Sequence, residues 1–386
     1  MIKSFEITTL GCKVNRYESE AIGEGLTAGG WRQCSTDPTA DLCIINTCTV
    51  TGKAGAQSRQ AVRKQIRIHP DATIVVTGCG AQRDPETFAA IPGVHHVVGN
   101  SFKGCITQLL EQEADPRTPG IRVENIRRVH EFQDLPIMRF GQRTRCFVKI
   151  QDGCDAFCSY CIVPYVRGPS RSLKTDMVLD RLARLKNAGY GEAVLCGIHM
   201  GRYGQDLAPP TSLLELLRSM DELPNAPRLR PSSIEPLELS EPLLDYLAVS
   251  NRACPHLHVP LQSGDGDTLK AMNRPYDSAY VDWLVHRIKE TIADAAIGMD
   301  VLVGFPGETQ AAFERTCSLI QRLPVSYLHV FPFSPREGTP AAILPNRVPS
   351  PVIKRRCSHL RKIGDEKRRV FHQHSIGRRG QVVFEK

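Results

Sequence analysis

No stretch of the 386-residue chain approaches the roughly 20 apolar residues that a membrane-spanning helix requires. The first residues, Met1-Ile2-Lys3-Ser4, likewise lack the apolar run of a secretory signal, so a cytoplasmic protein is expected. Internal repeats and low-complexity tracts are absent too, which sets aside repeat arrays and extended disorder. What remains, 41% hydrophobic and 23% charged, is the composition of a globular protein long enough for two or three domains. Acids are scarce at one end. From Arg347 to Lys386 twelve lysines and arginines face three acids, Asp365, Glu366 and Glu385, while the whole chain carries a net charge of +8. The preceding residues are therefore close to neutral. A basic end on a neutral body suits a phosphate backbone, with Lys354, Arg355, Arg356, Arg361, Lys362, Lys367, Arg368 and Arg369 as candidate RNA contacts. A solvated charged helix without a partner has the same pattern.

Cysteine, by contrast, is abundant, with fourteen in a chain that shows no secretory signal, and this points to metal rather than to disulfides. Between Gly153 and Val163 the chain reads G-C-D-A-F-C-S-Y-C-I-V, placing Cys154, Cys158 and Cys161 in a C-x3-C-x2-C triplet. Three thiolates on one short loop can hold three irons of a [4Fe–4S] cube and leave the fourth open as a reaction site. Zinc is the competing reading, but structural zinc closes a four-ligand shell, and no fourth Cys or His follows at short range.

The first 113 residues alternate strand-like runs, at Phe5–Leu10, Leu42–Asn46, Thr73–Thr77 and Val94–Val98, with helical patterns around Glu18–Ala28 and Gly55–Ile68. Such alternation predicts an open parallel sheet flanked by helices. Cys12, Cys48 and Cys79 each follow one of the first three runs, so they should converge at the carboxyl edge of that sheet, where ligands gather. Cys43 lies inside a run and reads as core, and Cys34, Cys105, Cys146, Cys196, Cys254, Cys317 and Cys357 lack a ligand pattern. A polar segment, 114–143, with Pro116, Pro119 and Pro136, reads as a linker. Six further strand-like runs follow, at Cys146–Gln151, Ala193–Gly197, Ser233–Glu235, His256–Gln262, Met299–Phe305 and Tyr327–Phe333. Helical patterns separate them, one starting near Thr175 or Asp176 and one at Asp277. The fold class expected is α/β: an N-terminal open-sheet domain followed by a partial (β/α)6 barrel over 144–375, with its site at the strand carboxyl ends.

The triplet, with Tyr160 before its last cysteine, resembles that of the radical S-adenosylmethionine (SAM) superfamily. The resemblance implies that SAM chelates the open iron and that one electron cleaves it to a hydrogen-abstracting radical. Tyr160 is then either a ring packed under the loop or a SAM contact. Further strings resemble the methylthiotransferase family within it: T-L-G-C-K-V-N-R-Y-E-S (9–19), I-N-T-C-T-V-T (45–51), T-G-C-G-A-Q (77–82) and D-G-C-D-A-F-C-S-Y-C-I-V-P-Y-V-R-G (152–168). So do S-S-I-E-P (232–236), L-H-V-P-L-Q-S-G (257–264), D-V-L-V-G-F-P-G-E (300–308) and H-V-F-P-F-S-P-R-E-G-T-P (329–340). The family inserts sulfur into a C–H bond and methylates it.

Carried over residue by residue, the likeness puts Cys154, Cys158 and Cys161 on the radical SAM cluster and Cys12, Cys48 and Cys79 on an auxiliary [4Fe–4S] cluster that carries or donates sulfur. Asn46 and Gly78 become turn residues or neighbours of those ligands. Ser233, Glu235 and Gln262 become SAM contacts or loop-stabilising polar groups. K-V-N-R-Y-E-S and G-I-H-M-G-R-Y-G (197–204) are most similar to the bacterial MtaB branch, which acts on N6-threonylcarbamoyladenosine at position 37 of tRNA. The implied partners are tRNA, SAM, an electron donor such as flavodoxin or ferredoxin, and a sulfur donor, with no membrane. The runner-up substrates are isopentenyladenosine-37 tRNA or a ribosomal protein, and a non-catalytic iron–sulfur RNA-binding protein is the reading from another class. Family members usually end in a small RNA-binding β-barrel, TRAM; here 376–386 resembles only its start, so the barrel is expected to be truncated or absent.

Overall fold

The computed structural model describes residues 3–34, 40–110, 119–137, 139–140, 144–224 and 226–384. The chain divides into two compact units, one of residues 1–156, 162–189 and 196–198, the other of 157–161, 190–195 and 199–386.

The first unit is built on a parallel sheet in the order β2–β1–β3–β4–β5–β6, with strands Ser4–Thr9 (β1), Arg32–Gln33 (β2), Leu42–Thr47 (β3), Thr73–Gly78 (β4), His96–Val98 (β5) and Gly120–Arg122 (β6). Helices Lys13–Ala28 (α1), Gly52–Ile68 (α2), Cys79–Arg83 (α3), Pro85–Ala89 (α4) and Ile106–Leu109 (α5) flank it. Central strands of a parallel sheet are covered on both faces and so read as unbroken apolar runs. In β3 every residue is buried, and the pleat sorts them. Cys43 and Ile45 pack with Val62 of α2, while Leu42 and Ile44 pack with Ile22 and Leu26 of α1. Thus the predicted sheet is present, and Cys43 is core. Two edge strands escaped the sequence reading, because β2 and β6 are short, exposed and without apolar alternation. The strand β6 falls inside 114–143, so part of the expected linker extends the sheet; residues 111–118, 138 and 141–143 lie outside the described set. The rest of this unit carries Arg145–Lys149 (β7), the antiparallel pair Gln151–Asp152 (β8) and Arg171–Ser172 (β9), and helices Val163–Arg167 (α6) and Thr175–Asn187 (α7). The N-cap position of α7 falls on Lys174, one residue before Thr175, with no side-chain cap, and Val178, Leu182 and Leu185 form its buried stripe as expected.

In the second unit the strands Glu192–Cys196 (β10) and Arg228–Pro231 (β11) pair in parallel, as do His256–Gln262 (β12), Ala296–Val303 (β13) and Tyr327–Pro332 (β14). Parallel bridges Leu229↔Ala253 and Ser233↔His258 join the two groups. Helices Leu213–Asp221 (α8), Glu241–Val249 (α9), Gly266–Ala271 (α10), Ser278–Thr291 (α11), Gln310–Arg322 (α12) and Ser350–Ser375 (α13) accompany them. The β/α alternation of the sequence reading is therefore present. One strand is displaced: β11 ends before the expected Ser233–Glu235, which contributes only the Ser233 bridge. Arg228 and Arg230 disguise it, since only Leu229 and Pro231 of its alternating pattern are buried. Asp277 caps α11 by accepting from the Tyr280 N–H at 2.8 Å. Beyond α13 the described residues to 384 form no regular strand.

Candidate iron–sulfur sites

Each of the first three cysteines sits where a strand hands over to a helix. Cys12 precedes α1, Cys48 follows β3, and Cys79 opens α3 directly after β4. Because β1, β3 and β4 are parallel neighbours, their carboxyl ends lie side by side and the three cysteines share one edge of the sheet. A Cβ added to Gly11 would stand 3.2 Å from the Cys48 sulfur. Burial pushes the Cys12 thiol up, against the pull of Arg167, and the Cys48 thiol up to about 11. Gly78 makes the approach possible: at φ +93° a Cβ there would collide with Asn46 Oδ1 and the Thr47 backbone. Asn46 itself buckles β3 to α1, donating to the Asn15 carbonyl at 2.8 Å and to Ser19 Oγ at 3.0 Å, a structural role. Cys48 is fixed by Ser58, whose hydroxyl accepts from the Cys48 N–H and donates to its carbonyl.

A charged side chain that the sequence reading passed over lies against this trio. Arg167, the last residue of α6, donates from Nε to the Cys79 sulfur at 3.2 Å and from Nη2 to Asn15 Oδ1 at 2.6 Å. Its remaining N–H groups reach Glu18 at 2.5 Å and Asp152 at 3.2 Å. Burial opposes ionisation of Glu18, yet Arg167, Lys103 and Lys149 overcome it and hold the carboxyl well below the usual carboxylate range. Lys103 and Lys149 lie in no motif, and Glu18 and Asp152 stand inside quoted strings without any sign of what they pair with.

Of the triplet, Cys154 belongs to the first unit and Cys158 and Cys161 to the second. The Cys154 N–H donates to the Gly168 carbonyl at 3.0 Å, a turn that needs Gly153, whose added Cβ would fall 1.8 Å from the Pro169 carbonyl oxygen. In the second unit the Cys161 N–H donates to the Cys158 carbonyl at 2.9 Å, and Phe157 holds a left-handed φ of 45°. Arg274, also missed from sequence, donates to the Cys158 sulfur at 3.2 Å and to Tyr276 Oη at 3.0 Å, and pairs with Glu235. Burial raises the Glu235 carboxyl against the pull of Arg274. Glu235 thus anchors an arginine on a triplet sulfur. The Tyr160 ring is partly buried and packs with Met272, Phe305 and Ala341. Gln262 stands at a β-bulge with φ 63°, and Ser233 is exposed beside β12.

Elsewhere in the second unit, His258 and His329 both engage Asp300 Oδ1, at 2.9 and 3.3 Å, from three adjacent strands. Burial opposes ionisation of Asp300, but the two imidazoles bring it down to about 2. This group has its ligand atoms within 4.8 Å of one another, whereas the strand-end cysteines form no such tight set among the described residues. A zinc ion draws its thiolates to within about 4 Å of each other. The all-sulfur donor set and the Arg167 N–H donated to the Cys79 sulfur suit a cubane cluster with three protein ligands.

The expected C-terminal RNA contacts all fall on α13. Arg356 is buried and pairs with Glu308 at 2.5 Å, so it is a packing residue. Arg361 donates to the Val330 carbonyl, and Lys367 donates to the Gln321 and Leu323 carbonyls at the end of α12. Arg368 and Arg369 pair with Asp365 and Glu366, leaving Lys354, Arg355 and Lys362 without a recorded partner. A stronger basic surface lies in the first unit, where α2 carries Lys53, Arg59, Arg63, Lys64 and Arg67 and no acid. Arg63, Lys64 and Arg67 line a cleft of about 890 Å³ that runs to Gly11 and Cys48.

Residues 4–99 match the family model described as uncharacterized protein family UPF0004, and residues 148–320 match the radical SAM superfamily model. Among solved structures the fold resembles the radical SAM methyltransferase TsrM from Kitasatospora setae, with TM-score 0.66 at 15% identity over 89% of this chain and 77% of that one. The cobalamin-dependent SAM radical enzyme OxsB follows, with TM-score 0.57 at 9% identity over 95% of this chain and 56% of that one. The fold and the cysteine loop are thus those of a radical SAM protein. At the level of sequence the chain is 40% identical over 359 residues to the threonylcarbamoyladenosine tRNA methylthiotransferase MtaB of Bacillus subtilis, covering 93% of this chain and 79% of that one. The MtaB protein of Rickettsia prowazekii is 37% identical, over 98% of this chain and 87% of that one. A tRNA-2-methylthio-N(6)-dimethylallyladenosine synthase of Rickettsia typhi is 31% identical, over 100% and 89%. The chain belongs to the threonylcarbamoyladenosine tRNA methylthiotransferase family.

Proposed function

We propose that this enzyme converts N6-threonylcarbamoyladenosine at position 37 of tRNA to its 2-methylthio derivative, with residues 1–113 carrying an auxiliary cluster and 144–375 the radical SAM core. The observation that carries the reading is the convergence of Cys12, Cys48 and Cys79 at one sheet edge, which gives a chain with a radical SAM cysteine loop a second all-thiolate site. Cys154, Cys158 and Cys161 would hold one [4Fe–4S] cluster, and the strand-end trio the other. When bound, the clusters and SAM supply the radical and sulfur-transfer chemistry. The chain's own residues position these groups. Arg167 and Arg274 each fix one sulfur by an N–H donor, and Asn46, Ser58 and Gly78 shape the loops that present the thiols. Flavodoxin or ferredoxin as electron donor, a separate sulfur donor and a cytoplasmic location complete the reading. Among the described residues no helix is long and apolar enough to cross a membrane.

Deleting the gene and analysing bulk tRNA by mass spectrometry tests the substrate. The methylthio form of threonylcarbamoyladenosine should disappear and its unmethylthiolated precursor accumulate. Unchanged levels overturn the assignment, and loss of the isopentenyladenosine derivative instead selects the runner-up.

The α2 cleft is the part of the surface that best suits the RNA, because exposed cations without recorded acidic partners release counterions on binding phosphate. Replacing Arg63, Lys64 and Arg67 together by Glu should weaken tRNA binding by at least about tenfold and flatten its log-log salt dependence by about two to three units. Fluorescence anisotropy at several salt concentrations reads both, with circular dichroism as the folding control. Unaltered affinity and slope would place the RNA elsewhere.

A further inference from the structure

Six charged side chains of the first unit form one buried network, Lys103, Lys149, Arg167 and Arg171 against Glu18 and Asp152. None is more than 6% exposed. Four cations and two acids leave an excess of two positive charges, with no further carboxylate paired to them among the described residues. Buried charge of one sign is strongly unfavourable unless something anionic answers it. The network touches such a group at one place, where Arg167 Nε–H meets the Cys79 sulfur at 3.2 Å. Its other partners carry no charge: Asn15 Oδ1 accepts from Arg167, and the Val129 and Arg167 carbonyls accept from Arg171.

The formal charges then match. A dicationic cubane held by three thiolates is a monoanion, and one more anionic sulfur on its open iron makes it a dianion. We propose that the Arg167 network is a counter-charge for the strand-end cluster in this sulfur-bearing, dianionic form, with Arg167 as the positioning residue that couples the two. This rests on the reading that Cys12, Cys48 and Cys79 hold a cluster. Arg167 is suited to the task because Glu18, Asp152 and Asn15 take the outer guanidinium N–H groups, which leaves Nε directed at sulfur. The Arg274–Glu235 pair at Cys158 is neutral by contrast, so an excess of charge is a property of the strand-end site.

The test uses the full-length protein with Cys154, Cys158 and Cys161 all replaced by Ala and the remaining site reconstituted anaerobically. Its midpoint potential is followed by electron paramagnetic resonance, and its affinity for added methanethiolate is measured from the change in that signal. Arg167→Gln should weaken methanethiolate binding at least tenfold and lower the potential by about 59 mV or more, the equivalent of tenfold in a one-electron constant. Arg167→Lys, which keeps the charge, should recover most of both effects. Lys103→Met and Lys149→Met remove charge without touching a cysteine. They should shift both readouts in the same direction by less, and they decide the matter if Arg167→Gln does not take up a cluster. Unchanged potential and affinity in the charge-removing variants, or an Arg167→Lys protein as impaired as Arg167→Gln, overturns the proposal. Iron analysis separates the two levels: a parent protein that takes up no cluster defeats the auxiliary-cluster reading itself, and the counter-charge with it.

Discussion

Glu18→Gln should strip the first unit of about 3–5 kcal/mol, the loss expected when one partner of a buried ion pair is removed. Glu18 lies on α1 with its carboxylate fully enclosed, accepting from Arg167 at 2.5 and 3.1 Å and from Lys149 at 3.0 Å, and pairing with Lys103. The amide keeps the shape and removes the charge, leaving Asp152 as the only acid recorded among four buried cations. Against a total stability of about 5–15 kcal/mol for a typical domain, that is a substantial share of the margin. Urea unfolding of the cluster-free protein measures it, and a loss below about 1 kcal/mol would mean that the network relaxes or admits water. Acid should act in the same sense. The folded Glu18 carboxyl is held well below its ordinary value of 4.5. Its contribution is therefore complete above that value and is lost as pH falls through the lower folded value. In Glu18→Gln this part of the acid sensitivity should be missing.

The second large effect separates the two cysteine trios. Cys48→Ala and Cys158→Ala should each cost about four irons per chain and leave the other cluster in place, because two remaining thiolates hold a cube poorly. Both should abolish the methylthio product. Only Cys158→Ala should also abolish reductive cleavage of SAM to 5′-deoxyadenosine, since the open iron beside the triplet is where SAM is expected. Cys48 lies at the end of β3 in the first unit, whereas Cys158 is held by Arg274 in the second. Iron analysis with chromatography of the cleaved nucleoside reads both. Loss of SAM cleavage in Cys48→Ala, or methylthio product from either variant, would break the assignment of separate roles.

Arg167 and Arg274 repeat one device. Each gives a single N–H to a cysteine sulfur and uses the rest of its guanidinium to grip buried or half-buried partners on other elements. Arg167 was in view from the start, as the R of P-Y-V-R-G, without any sign of what it touched. Glu18 likewise stood inside K-V-N-R-Y-E-S and looked like one more polar residue of an amphipathic helix.

Much of the fold was legible from local pattern. The apolar runs of β3 and β4 mark those strands because a strand covered on both faces is largely apolar. The edge strands β2 and β6 and the arginine-flanked β11 were not, because they are short or half-covered and bury little. The eight basic residues of 354–369 show the same limit: charge is countable in sequence, but whether Arg356 meets water or Glu308 depends on what packs over it.

By itself, then, the sequence determined the two cysteine trios, the parallel-sheet logic that brings Cys12, Cys48 and Cys79 together, and the family. Short ligand loops and strand periodicity are local, and local order survives in a linear string. Only the tertiary structure decided which charges answer the sulfurs. Arg167 and Glu18 lie 149 residues apart and meet solely because α1 and α6 pack in one unit, so their pairing is a property of the packed core that no spacing records.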